Sequence, residues 1–247
     1  MILAWPVMCL AFFCEYIDSS LGMGYGTMLV PILLIMGYSP LQVVPAVLIS
    51  EFLTGVCAAG LHHGLGNVNF KERRTLRVSL VLGGMSVFGV VIATVLTVHL
   101  PATAVKTYIA IMVIAMGVIV ITQIRRKLSF SWPRLMGIGA LAAFNKGISG
   151  GGYGPLVTGG QIVSGMGTKA AIGITSLAES LTCLVGLIVF LGFDKVSTLT
   201  PSLLIGAMLS VPFAAYTVKK LPEKTLTKAL GVVLLAIGIW SLVRVIV

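Results

Sequence analysis

Charge is what this chain has least of. Only 10% of its residues are Asp, Glu, Lys or Arg, and seven of the 247 are acidic. A soluble domain carries about 25% charged residues, so a soluble globular class is excluded. Cysteine is sparse as well. Cys9, Cys14, Cys57 and Cys183 all lie in apolar runs, and their spacing fits neither a disulfide framework nor a zinc site. The chain has no Gly-x-x-x-x-Gly-Lys-Ser/Thr phosphate loop, no dinucleotide fingerprint and no nucleophile–base arrangement. An enzyme is therefore not expected, nor a cofactor, and ATP-driven transport would need a partner. His62-His63 has no third ligand spaced for zinc, so the pair reads as a feature of the cytoplasmic membrane edge and no metal is expected. The N-terminal Met-Ile-Leu-Ala-Trp-Pro has no positive n-region, so the first apolar segment is expected to stay in the mature protein.

What the chain does have is hydrophobicity. Apolar residues make up 57%, and the mean hydropathy is +1.08. Long apolar runs recur with short polar gaps, which specifies an all-α integral membrane protein. The length leaves room for roughly eight to ten spans of ~20 residues. The net charge of +10 does not point to nucleic acid, because of where it sits. Twelve of the seventeen cations fall in three gaps: Lys71, Arg73, Arg74 and Arg77; Arg125, Arg126, Lys127 and Arg134; Lys219, Lys220, Lys224 and Lys228. That is the distribution of cytoplasmic loops in a multi-pass membrane protein.

One pattern occurs twice. At an offset of 128 residues, Gly22, Gly24, Tyr25, Gly26, Gly37 and Glu51 fall on Gly150, Gly152, Tyr153, Gly154, Gly165 and Glu179. In each copy a glycine-rich break interrupts an apolar run, and a carboxylate follows in the middle of the next run.

Taken in order, residues 2–17 form a short apolar piece closed by Glu15 and Asp18, followed by the break at 22–26 and a second short piece at 27–36. Two short pieces around glycines predict a discontinuous helix or re-entrant hairpin. Ser39-Pro40 reads as a helix start, with the helix running to about Leu61 and kinked at Pro45. His62 to Arg77 is a polar loop. Spans follow at 78–98 and 103–123, joined by the Leu100-Pro101 turn. The second half repeats the order: a short piece at 135–148, the break, a piece at 156–166, a long helix at 168–191, then spans at 201–218 and 226–246.

If the three basic loops share the cytoplasmic side, each broken segment must return to the side it entered from. The halves are then inverted relative to each other, each a glycine-broken short-helix hairpin plus three transmembrane helices, with both termini outside. Residues 1–124 form the first repeat, 125–134 a basic cytoplasmic linker, and 135–247 the second repeat, all in one membrane domain.

The run Gly150-Gly-Gly-Tyr-Gly-Pro-Leu-Val, with Gly165 and Thr168-Lys-Ala-Ala-Ile-Gly-Ile-Thr-Ser176-Leu, resembles the glycine-rich signature of the sulfite/organosulfonate exporter family (TSUP, or TauE/SafE). Gly22-Met-Gly-Tyr-Gly-Thr-Met-Leu-Val-Pro31, with Pro45-Ala-Val-Leu-Ile-Ser50, looks like its first copy. The resemblance covers the whole chain. It implies transport, usually outward, of a small sulfur-containing or organic anion such as sulfite, a sulfonate or sulfoacetate across the inner cell membrane. The first copy departs from the second in having Gly22-Met-Gly where the second has three glycines, so the copies need not bind equally.

Glycines at a broken helix let backbone approach a ligand, and a half-helix starting there offers free N–H groups and the positive end of a dipole. Gly24, Gly26, Gly151 and Gly152 are therefore candidate substrate-binding positions, with tight packing as the alternative. Tyr25 and Tyr153 are candidate phenol donors to an anion, or packing residues. Ser50, Ser176 and Gln161 are further candidate ligands, although serine in a membrane helix often bonds its own backbone. Asn145 and Lys146 are candidates to attract the anion. Asp18 is the repeat equivalent of Lys146, and the two would alternatively form a buried pair.

Glu51 and Glu179 each lie about eleven residues into a helix, near the bilayer centre at ~1.5 Å per residue. An unpaired carboxylate there costs at least ~2.5 kcal/mol. Proton coupling is one explanation, since burial disfavours the ionised form; bracing of the broken helix is the other. A secondary transporter coupled to protons is the leading expectation. A passive anion channel of the same fold and a non-transporting membrane assembly module are the alternatives. The expected partners are the anion, the bilayer and protons, and oligomeric state is left open.

Overall fold

The computed structural model describes residues 4–38, 40–97, 102–123, 129–149, 153–190 and 197–246. The described residues are almost entirely helical and contain no strand. The first half supplies α1 (Trp5–Leu21), α2 (Tyr25–Ile35), α3 (Pro40–Gly64), α4 (Arg73–Thr97) and α5 (Ala102–Gln123). The second supplies α6 (Trp132–Ser149), α7 (Tyr153–Val163), α8 (Thr168–Phe190), α9 (Thr200–Lys220) and α10 (Glu223–Ile246). Among the described residues, stretches of α3, α8 and α9 are long and apolar enough to cross a membrane.

The short helices match in length. α1 and α2 have 17 and 11 residues, and α6 and α7 have 18 and 11. α1 runs further than residues 2–17, because Asp18 lies inside the helix rather than ending it. The helix stops at Gly22, whose φ of 72° is left-handed and whose N–H bonds the Asp18 carbonyl at 2.6 Å. Gly24, at φ 125°, turns the chain into α2. Both conformations favour glycine because a Cβ would clash with the backbone. Tyr25 and Gly26 already belong to α2, so the break is shorter than 22–26. Gly150 to Gly152, Ser39, the Leu100-Pro101 turn, Arg125 to Lys127 and Asp194-Lys195 lie outside the described residues.

The helices pair in a regular way. α1 packs on α9 and α6 on α4; α3 packs on α9 and α8 on α4; α3 packs on α8 and α5 on α10. The last two pairs are antiparallel: Gly55 meets Ser176 and Ser180 while Gly186 meets Leu48, and Gly117 meets Leu235 while Gly238 meets Ile114. Small residues permit the close crossings, as membrane helices require. Gly206 abuts the Met8 carbonyl, and Gly89 abuts Ala143. One apolar core gathers Val7, Tyr25, Leu29, Val43 and Leu203; a second gathers Leu21, Met23, Leu82, Tyr153 and Leu156.

Three basic segments meet at one end of the bundle. The Arg74 guanidinium lies 3.8 Å from the Phe130 ring centre and that of Arg77 lies 5.2 Å from the Trp132 ring centre, both favourable cation–π distances. Arg134 donates to the Val163 carbonyl at 3.2 Å, and the Ser131 N–H donates to the Ser164 carbonyl at 3.0 Å. Lys169 Nζ donates to the Lys219 carbonyl at 2.9 Å, and Asn67 Nδ2 donates to the Ala215 carbonyl at 2.9 Å.

Candidate functional site

The two breaks touch. Thr158 on α7 donates its hydroxyl to the Gly22 carbonyl at 2.7 Å, 136 residues away in sequence. A Cβ on Gly154 would lie 2.8 Å from the Gly22 oxygen, 3.0 Å from Met23 Cα and 3.2 Å from Glu179 Oε2. Any side chain at 154 would therefore push the first break off the second. Gly154 is the residue that lets the start of α7 and the end of α1 lie backbone to backbone, with the α8 carboxylate beside them.

Four of the seven acidic residues are buried around this contact: Glu15, Asp18, Glu51 and Glu179. Asp18 lies within electrostatic reach of Glu179, Glu15 and Glu51. Each has a distinct setting. Asp18 Oδ1 accepts from the Tyr25 N–H at 3.2 Å, so it caps α2 across the break and meets the positive end of that helix. Glu15 accepts from Ser19 Oγ at 2.6 Å. Its other oxygen lies 3.2 Å from Thr54 Oγ1, which is itself 2.9 Å from the Ser50 carbonyl. Glu51 Oε2 accepts from the Cys183 thiol at 3.2 Å, linking α3 to α8.

The remaining candidates fall around this centre. The Tyr25 hydroxyl bonds the Ser50 hydroxyl at 2.8 Å, both buried. Tyr153 is also buried and donates to the Leu82 carbonyl at 3.0 Å. Ser176 donates to the Ile172 carbonyl of its own helix at 3.2 Å. Gln161 is buried on α7. Its Nε2 donates to Thr175 Oγ1 at 2.8 Å and to the Ala171 carbonyl at 3.3 Å, and its Oε1 has no partner among the described residues. Gly24 and Gly26 are buried at the first break. Asn145 and Lys146 occupy the last turn of α6, with side chains outside the described residues, and Gly151 and Gly152 lie wholly outside them. Among the described residues, no three His, Cys, Asp or Glu gather as a metal site.

Several residues of this centre were not singled out from sequence. Glu15 and Ser19 sit at i and i+4, on one helix face with Asp18, and that spacing was the available signal. Thr54, Thr158 and Thr175 carry no pattern of their own. His62, placed at the membrane edge with His63, proves fully buried: Nε2 meets the Ser19 carbonyl at 2.9 Å, and Nδ1 meets Asn67 Nδ2 at 3.0 Å. Asn67 also donates to the Ala215 carbonyl, so its nitrogen faces two acceptors. Nδ1 then accepts, and Nε2 carries the proton that α3 donates to α1.

An all-helical chain with apolar spans, small-residue helix crossings and buried carboxylates at touching helix breaks has the makings of a membrane transporter. The comparisons supply the family: the description sulfite exporter TauE/SafE matches residues 7–241, and the chain belongs to that family. It is also similar to a Bacillus subtilis (strain 168) protein described as "Probable membrane transporter protein YtnM", at 23% identity over 244 residues, covering 93% of this chain and 79% of that protein. No solved structure matches significantly.

Proposed function

We propose that this protein is a secondary transporter that exports a small sulfur-containing or organic anion, such as sulfite or a sulfonate, in a proton-coupled cycle. The observation that carries the reading is the contact of the two glycine breaks, with carboxylates from both halves buried beside it. Broken helices that meet inside a bundle are where transporters bind substrate and coupling ion.

The halves act as inverted repeats in this proposal. Support comes from the helix pairing, which is kept when α1 to α5 are exchanged with α6 to α10: α1 on α9 becomes α6 on α4, and the two self-paired contacts are antiparallel. The shared end of the basic segments supports a cytoplasmic face there, with both termini on the opposite side.

The two breaks take different roles. In the first, the Asp18 carboxyl already occupies the start of α2. In the second, the equivalent position in the sequence is Lys146, so that copy carries a cation in place of the carboxyl. The anion is assigned to that second break, with the backbone at Gly151 and Gly152, Asn145, Lys146 and Gln161 as its surroundings. Tyr25, Tyr153, Ser50 and Ser176 hold the frame through the bonds described above.

Protons are assigned to Glu51 and Glu179, with Glu15 beside them. The hydroxyl of Thr54 has one proton and two acceptors within reach, the Ser50 carbonyl and Glu15. A proton on Glu15 would satisfy both contacts. The test is flux of sulfite or a sulfonate into proteoliposomes under an imposed pH gradient. Wild type should respond to the gradient, and Glu51→Gln and Glu179→Gln should carry flux that no longer does. A folded protein that moves no small anion sinks the transport reading. Wild-type flux indifferent to the gradient sinks the proton role and leaves a passive channel.

A further inference from the structure

An open cleft of about 390 Å³ lies between α1 and α9, lined by Phe12, Phe13, Tyr16, Phe213, Tyr216 and Thr217. It opens outward, since Phe13, Phe213 and Tyr216 are 65%, 62% and 53% exposed. α9 is long and apolar enough to span a bilayer, so this aromatic face borders lipid rather than water. Two of the cleft's three hydroxyls, those of Tyr16 and Thr217, are already engaged. Thr217 donates to the Phe213 carbonyl at 2.9 Å, and Tyr16 bonds Thr217 at 2.8 Å. Apart from the Tyr216 hydroxyl, what remains is a hydrocarbon surface: the Phe12 ring meets Phe13 edge-on at 5.7 Å and Phe213 at 6.2 Å.

One end of the cleft is positive. Phe213, Tyr216, Thr217 and Lys220 follow at i, i+3, i+4 and i+7, a single stripe of α9. The Lys220 ammonium lies 5.4 Å from the Tyr216 ring centre. Lys219 is exposed beside it, and its carbonyl accepts from Lys169. Lys224 and Lys228 begin α10. Glu223 lies here as well, its Oε1 3.5 Å from the Lys169 nitrogen. A second cleft, of about 230 Å³ between α4 and α6, is lined by Met85, Phe88, Gly89, Ala140 and Phe144 and has no basic residue in its lining.

We propose that the α1–α9 cleft is a binding site for an anionic phospholipid, with an acyl chain against Phe12, Phe13 and Phe213 and the headgroup phosphate at Lys219 and Lys220. The chain alone fits any lipid; the two lysines select the charge. Lysines at a membrane surface favour anionic lipid enough that two of them are worth roughly tenfold or more in affinity. The site depends only on membrane insertion, so it stands or falls separately from the transported anion.

The experiment uses the full-length protein, stripped of lipid in a neutral detergent and titrated with dioleoyl phosphatidylglycerol or dioleoyl phosphatidylcholine. Binding is read by native mass spectrometry, and thermal unfolding is read alongside. Phosphatidylglycerol is expected to bind roughly tenfold tighter or better and to raise the unfolding temperature. The variant K219Q/K220Q should lose the preference and keep the weaker phosphatidylcholine binding. The variant F13A/F213A, altered only at exposed rings, should weaken both lipids. Equal binding of the two lipids, a preference that survives K219Q/K220Q, or an equal thermal shift from glycerol phosphate without acyl chains would each overturn the site.

Discussion

Tyr153 is a buried phenol whose bond to the Leu82 carbonyl spans 71 residues of sequence. Removing that hydroxyl deletes one buried bond, while the Leu82 carbonyl keeps the Ser86 hydroxyl at 3.2 Å, so Tyr153→Phe is expected to lower unfolding stability by about 1 kcal/mol. Substrate affinity in a ligand-induced thermal-shift titration should stay within about twofold of wild type. A tenfold loss of affinity at unchanged stability would instead put the hydroxyl on the anion. No pattern in the sequence tells a phenol that faces a ligand from one that faces a distant carbonyl. Glu51 and Glu179 were legible, because a lone carboxylate in the middle of an apolar run has few explanations. Glu15 was not, because an acid near the end of a short run looks like a helix terminus, and Asp18 reads in sequence only as a candidate partner of Lys146. They stay inside the helix because protein, not lipid, surrounds them, with Ser19, Thr54 and the Tyr25 N–H as donors.

At the scale of elements, glycine and proline punctuation placed every helix, and the ends moved by only a few residues. Thr168–Phe190 and Thr200–Lys220 lie close to the spans expected at 168–191 and 201–218. The contact between elements was harder to see. Gly154 reads as a residue freeing the chain at a break, whereas its structural role is the bare surface against which Gly22 and Met23 lie. Gly154→Ala should therefore separate α7 from the end of α1 and slow anion flux at least roughly tenfold. Gly137 on α6 is the control, because a Cβ there meets nothing within 4 Å. Gly137→Ala should leave flux within about twofold and add about 0.5–1 kcal/mol of helix stability. Equal flux from the two variants would mean that the contact between the breaks does not matter for transport.

At the scale of the molecule, the fold class was decided by composition alone, and the pairing of helices was not. Periodicity says nothing about which helix meets which, and the offset of 128 residues suggested a symmetry without giving its contacts. The basic segments converge at one end through Arg74, Arg77, Arg134 and Lys169. With that end cytoplasmic, the chain should begin and finish on the far side. Alkaline phosphatase fused after Val247 should be active, and the same enzyme inserted between Asn69 and Lys71 should be silent. An inactive C-terminal fusion, in protein that reaches the membrane, would reverse the assigned orientation.

The Asp18 cap on α2 has a consequence for how the molecule works as a machine. A tethered carboxyl cannot leave, so the start of α2 keeps its own tenant. On the proposed reading, only the other half would be free to pick up a passenger and set it down. One half would then serve as a fixed strut and the other as a working arm.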